Sequence, residues 1–191
     1  MNDRRTRAGR PRDPALDQAI VSAAGRQLGE LGYARMSLES VAAAAGTTVP
    51  TLRRRYAGKA ELAAAVIGSL RVQDPPAAAP TPRAHALAIL ENFLDNLRAI
   101  PALAILGSLL AEEERHPELL QLFKTHLAEP RRALLRQALA AGDLPESADL
   151  DALTSMLIGS FYGRYLTVAG IPDDWPDRVL STIWPADDHA L

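Results

Sequence analysis

The chain has 191 residues and 21 Lys/Arg against 23 Asp/Glu, a net charge of −2. That length fits one compact domain or two small ones sharing a core. The absence of cysteine excludes disulfides, thiolate metal sites and cysteine nucleophiles. No apolar run approaches the roughly 18 residues that a bilayer span requires. The start, MNDRRTRAGRPR, leads into no apolar core, so it does not read as a secretory signal, and the expected location is cytoplasmic. With 35 Ala and 29 Leu and few aromatic residues, the composition favours an all-α fold. The charge is uneven: residues 1–62 carry 11 Lys/Arg and 6 Asp/Glu, whereas 63–191 carry 10 and 17. A basic head on an acidic body is the pattern of a module that meets a polyanion at one end.

Residues 1–12, with Arg4, Arg5, Arg7, Arg10, Arg12, Gly9 and Pro11, read as a flexible basic arm. Asp13 then caps a first helix over 14–31, with Pro14 in its first turn and Gly32 as its stop. Ser37 caps a second helix over 38–45, Gly46 breaks the chain, and Thr48 caps a third over 49–56. A fourth helix runs over 59–72. The stretch 74–82, with four prolines in nine residues, is a loop or linker. Helices over 83–99, 101–115, 117–141, 148–169 and 173–184 follow. Pro130, inside the 117–141 pattern, removes a backbone bond to His126 and predicts a kink or a split there.

Residues 37–56 carry the most information. Two short helices joined by a tight turn fit a helix-turn-helix. Ala42 is small where the helices cross, Gly46 sits where the turn needs positive φ, and Val41 and Leu52 face each other. Thr51, Arg53, Arg54 and Arg55 are left facing outward. An alanine-rich hairpin with a solvated arginine run is the plain alternative, and the basic arm and local charge favour DNA.

The string AIVSAAGRQLGELGYARMSLESVAAAAGTTVPTLRRRYAGKAEL (19–62) resembles the DNA-binding domain of the TetR/AcrR family of bacterial transcriptional regulators. Its marks are Gly32-Tyr33 after helix one, the Ser-capped second helix, the Ala-Gly turn, Thr51-Leu52, Tyr56 and Lys59. EPRRALLRQALAAGDL and IGSFYGRYLTVAGIP resemble, more loosely, segments of the family's C-terminal domains. The resemblance implies an N-terminal three-helix DNA-binding domain over 1–62 and a helical effector-binding and dimerisation domain over 63–191. It also implies a repressor that binds a palindromic operator as a homodimer and is released by a small-molecule effector, with no enzymatic activity, cofactor or metal. The chain departs from the family at Arg53, where the usual Tyr often touches a phosphate and Arg either does that electrostatically or reads guanine bidentately, and at Thr47 (usually Val) and the apolar Val49, which bears on operator sequence.

By that resemblance Ser37, Thr48, Thr51 and Lys59 hold phosphates, and Val49, Pro50, Arg53 and Arg54 lie at or near bases. Arg55 is either a phosphate contact or a solvated side chain, and Tyr56 packs under helix one. One short helix reads only a few base pairs, so a dimer on two half-sites is expected. Its face is assigned to Gly159 and Gly163, a small strip, and to Trp175, Val179 and Ile183, an apolar stripe that is otherwise plain core. Candidate effector contacts are Phe93, Leu97, Leu106, Leu110, Phe123, Leu127, Met156, Phe161, Tyr162 and Tyr165, which suggest an apolar or aromatic ligand. Arg164 lies among them, where a buried arginine wants an anion. Glu112 and His116, one turn apart, are too few to make a metal site, and no nucleophile elbow, P-loop or dinucleotide fingerprint is present. The competing readings are a constitutive DNA binder without an effector, and an all-helical small-molecule carrier or enzyme.

Overall fold

Asp13 opens the first helix by accepting hydrogen bonds from the backbone of Ala15 (3.0 Å) and Leu16 (3.4 Å). The computed structural model describes residues 13–70, 73–99, 101–168 and 170–184. The basic arm and its five arginines lie outside them. All regular structure among the described residues is helical, and the chain divides into two compact units between Ser69 and Leu70.

The first unit holds α1 (Pro14–Arg35), α2 (Leu38–Ala44), α3 (Val49–Arg53) and α4 (Lys59–Ser69). Gly32 breaks α1 where expected, at φ 77° and ψ 165°, a region open to glycine alone. Yet the helix resumes for another turn instead of stopping, because Tyr33 and Met36 then bury their side chains. α3 ends earlier than its pattern suggests. The Leu52 carbonyl accepts from both Arg55 (2.9 Å) and Tyr56 (3.0 Å), which tightens the last turn and closes the helix. α1 packs on α2 and α4, and α2 on α3, around Ile20, Ala24, Leu28, Val41, Leu52, Leu62 and Ile67, all fully buried.

The second unit holds α5 (Pro82–Ala99), α6 (Ala102–Ala111), α7 (Pro117–Phe123), α8 (Glu129–Ala140), α9 (Leu150–Thr167) and α10 (Trp175–Ser181). α5 is its spine, in contact with α6, α8 and α10, and α9 packs on α8 and α10. Leu90, Leu94, Leu135, Leu139, Leu157, Phe161 and Leu180 form the core. Arg83 ties the start of α5 to α10 through Asp177 (2.9 Å), Ser181 (2.8 Å) and the Trp184 carbonyl (3.0 Å). The proline-rich stretch is a loop. Buried Asn96 pins its start, accepting from Gln73 N–H (2.8 Å) and donating to the Gln73 carbonyl (2.9 Å).

Pro130 splits the 117–141 pattern through a π turn over Lys124–Ala128. There the Glu129 N–H reaches back five residues to the Lys124 carbonyl, and the wider turn gives room to a proline that cannot donate. No single helix among the described residues is long and apolar enough to cross a membrane.

Candidate nucleic-acid interface and apolar cavity

The helix-turn-helix is built on a small set of contacts. Val41, Ala42 and Leu52 are buried where α2 meets α3. Gly46 takes φ 65° between them, and Thr47 N–H closes the turn on the Ala42 carbonyl at 2.9 Å. The Ser37 hydroxyl caps α2 by accepting from Ser40 N–H (3.1 Å), and Ser40 in turn donates to Gln27 of α1 (2.7 Å). Thr48 caps α3 through Thr51 N–H (3.3 Å). Its hydroxyl meets that of Thr51 (3.0 Å), which accepts from the Arg54 guanidinium (2.8 Å). Arg54 is therefore held along the outer edge of α3. Arg53 is exposed and has no ion-pair partner among the described residues, and Pro50 is exposed beside half-buried Val49.

Two further cations contact α1. Arg55 is not a solvated side chain: it donates to Asp17 of α1 at 2.5 Å, with only 14% of its side chain exposed. The tightened end of α3 turns it away from its two neighbours and back toward α1. Lys59 donates to the Ala34 carbonyl (2.9 Å) and lies 4.4 Å from the Tyr33 ring centre, so it anchors the start of α4 to the end of α1. No sequence spacing flags the Asp17–Arg55 pair, because its partners are distant in the chain.

The second unit holds a half-open apolar cavity of about 170 Å³. Phe93, Leu97, Leu106, Phe123, Leu127 and Tyr162 line it, and all six are among the sequence candidates. The other four fall elsewhere. Phe161 is fully buried in the core, edge-on to Phe93 with ring centres 5.2 Å apart. Leu110, Met156 and Tyr165 are 52%, 64% and 53% exposed, because helical spacing alone does not say which face of α6 or α9 turns inward. Asn96, Ala102, Ala128, Arg131, Arg132 and Ile158 also line the cavity and were missed. Arg131 was legible: it follows Leu127 by one turn and shares its face. The π turn contributes Leu127 and Ala128 to the wall.

The polar groups in the wall differ in their commitments. Arg132 is paired with Asp151 (2.7 Å) and Ser155 (3.1 Å). Arg131 spends Nη1 on the Leu127 carbonyl (3.0 Å), while its buried Nε has no hydrogen-bond partner among the described residues. Burial lowers the Arg131 pKa from its ordinary value, and Asp74 partly offsets this. Burial also raises the Tyr162 phenol, which keeps it a neutral donor. Arg164, the expected anion seeker, lies against the Trp175 ring at 5.0 Å, outside the cavity lining, and its buried Nε also has no hydrogen-bond partner among the described residues. The Glu112–His116 pair does not converge: His116 meets Glu118 (3.1 Å) and Glu112 meets Arg115 (3.7 Å).

Residues 20–66 match the model for bacterial regulatory proteins of the tetR family, and residues 76–183 match that for the tetracyclin repressor-like C-terminal domain. The chain belongs to the TetR family. An uncharacterized HTH-type transcriptional regulator of Mycobacterium tuberculosis is 29% identical over 171 residues, covering 80% of this chain and 79% of its own. The uncharacterized HTH-type transcriptional regulator YdeS of Bacillus subtilis is 25% identical over 170 residues, covering 84% and 83%. The structure of the fatty acid degradation regulator FadR from Bacillus halodurans shares the fold, with a TM-score of 0.67 at 18% identity, over 95% of this chain and 100% of that one. This TetR-family chain is accordingly a DNA-binding transcriptional regulator with a helix-turn-helix, not an enzyme.

Its α9 and α10 present different faces. Gly159 and Gly163 are exposed, with open space where a Cβ would stand. Met156 (64% exposed) and Leu166 (79%) extend the same stripe of α9, so four positions at helical spacing form a small and apolar surface. Trp175 and Val179 of α10, and Ile183 just after it, are not part of that stripe. They are half-buried and pack against their own chain's core, because their side of the short helix faces α5 and α9.

Proposed function

We propose that this protein is a homodimeric repressor that binds a palindromic operator and is released by a small molecule. In this reading residues 1–62 meet DNA and residues 63–191 pair the two copies and bind the effector. Ser37, Thr48, Thr51, Arg53 and Lys59 hold phosphates, and Val49, Pro50 and Arg54 face base edges. Arg55 is left out, since its charge is spent on Asp17. The observation that carries the pairing is the open Met156–Gly159–Gly163–Leu166 stripe of α9, where missing side chains permit close approach of a second α9.

The effector part rests on the cavity, which a constitutive DNA binder has no need of. A ligand there need only prefer the dimer conformer whose recognition helices are badly spaced for DNA. Asn96 suits this coupling: it lines the cavity and also holds Gln73, in the segment that follows α4 in the chain. The test is sedimentation of the protein with a duplex selected for binding. Two chains per operator are expected, and Met156→Asp should give a folded monomer. A wild-type monomer at micromolar concentration that still retains the duplex would overturn the dimer reading.

A further inference from the structure

The cavity has a chemical sign as well as a shape. Its walls are almost wholly aliphatic and aromatic, and of its two arginines only Arg131 has no carboxylate at ion-pair distance among the described residues. Arg132 pairs with Asp151, whereas Arg131 keeps a buried Nε with no partner among the described residues. Half-burying a cation without a carboxylate partner costs free energy, and a bound anion offsets that cost. Asp74, a carboxylate whose field raises the Arg131 pKa, is an exposed loop residue, so water screens it. Tyr162, kept neutral by burial, adds a hydroxyl donor to the same wall.

We infer that the effector is a small organic monoanion, with an apolar ring or short chain filling the cavity and a carboxylate paired with Arg131. This rests on the effector reading above and sharpens it. A single uncommitted cation matches one negative charge better than a phosphate dianion, which needs further donors. The size follows from the volume. A dry cavity of about 150 Å³ admits one benzene ring, and this one is about 170 Å³.

The test is calorimetric titration of the full chain, without DNA, using two matched sets: benzoate, benzamide and benzylamine, and hexanoate, hexanamide and hexylamine. The carboxylates should bind about tenfold or more tightly than their amides, as expected for a charged hydrogen bond, and the amines should bind weakest. Arg131→Gln should erase the preference for the carboxylate while keeping residual amide binding. Arg131→Lys should retain part of the preference, which a merely structural role would not predict. Leu106→Trp, which fills the cavity, should abolish both. Amides binding as tightly as acids overturn the anion assignment and leave the cavity reading standing. Binding of all three charge classes that survives Leu106→Trp places the ligand elsewhere and overturns both readings. No heat from any of the six probes also overturns both.

Discussion

Arg53 and Arg55 are two positions apart on one short segment, yet Arg53 is exposed and Arg55 is paired with Asp17, so their proposed jobs are separable. Each phosphate neutralised by a protein cation contributes about 0.9 to the slope of log affinity against log salt. Two copies of Arg53 on one operator therefore contribute about 1.8, or roughly a twelvefold change in affinity between 50 and 200 mM salt. Arg53→Ala should lose about twelvefold less affinity over that range than the parent, and with its side chain in solvent its melting temperature should hardly move. Arg55→Ala should do the reverse. Its guanidinium is 2.5 Å from Asp17, with the two side chains 14% and 32% exposed. Losing that half-buried pair should cost about 1–2 kcal/mol, between exposed and buried pairs. In a chain of this size that lowers the melting temperature by about 2–8 °C, with the salt slope unchanged. Fluorescence anisotropy across salt, together with thermal denaturation of each variant, decides. If Arg55→Ala flattens the slope as Arg53→Ala should, and leaves the melting temperature alone, the division of labour along α3 is wrong.

Three further substitutions probe separate parts of the molecule. A Cβ at Gly142 lands 1.9 Å from the Trp184 ring, so Gly142→Ala should displace that indole and cost about 1–3 kcal/mol, seen in denaturant unfolding with a shift in tryptophan emission. Gly46 has open space around it but φ 65°, so Gly46→Ala should cost about 1–2 kcal/mol through backbone strain alone, read as a lower unfolding midpoint. Asn96→Leu strands the Gln73 N–H and should cost about 1–3 kcal/mol. It should also weaken release of DNA by a cavity ligand more than it weakens ligand binding, measured by anisotropy and calorimetry side by side.

The amino-acid sequence made the first unit almost fully legible. Its turns depend on local devices that show in the residues themselves: Asp13, Ser37 and Thr48 as caps, Gly32 and Gly46 at positive φ. Pro130 announced a disturbance, though not that a π turn would absorb it, since that depends on how the following helix is held. The cavity was half visible. Periodicity put Phe93, Leu97, Phe123 and Leu127 on inward faces, but α9 has apolar or small residues on several sides, so Met156 and Tyr165 read as inward when they are not. The anion-seeking arginine was sought at Arg164, whose charge instead lies against Trp175. Arg131 escaped notice because only the fold shows that its neighbour Arg132 is neutralised and it is not. The Asp17–Arg55 pair is of the same kind: its partners meet only after α1 and α3 have packed.

The central claim is that two copies of this helix-turn-helix grip one duplex in register. Selection of bound duplexes from a random pool by the purified full chain tests it most directly. The account predicts an inverted repeat whose half-sites lie about one helical turn apart, or a whole number of turns. A single unrepeated motif, or no enrichment at low salt, would contradict it.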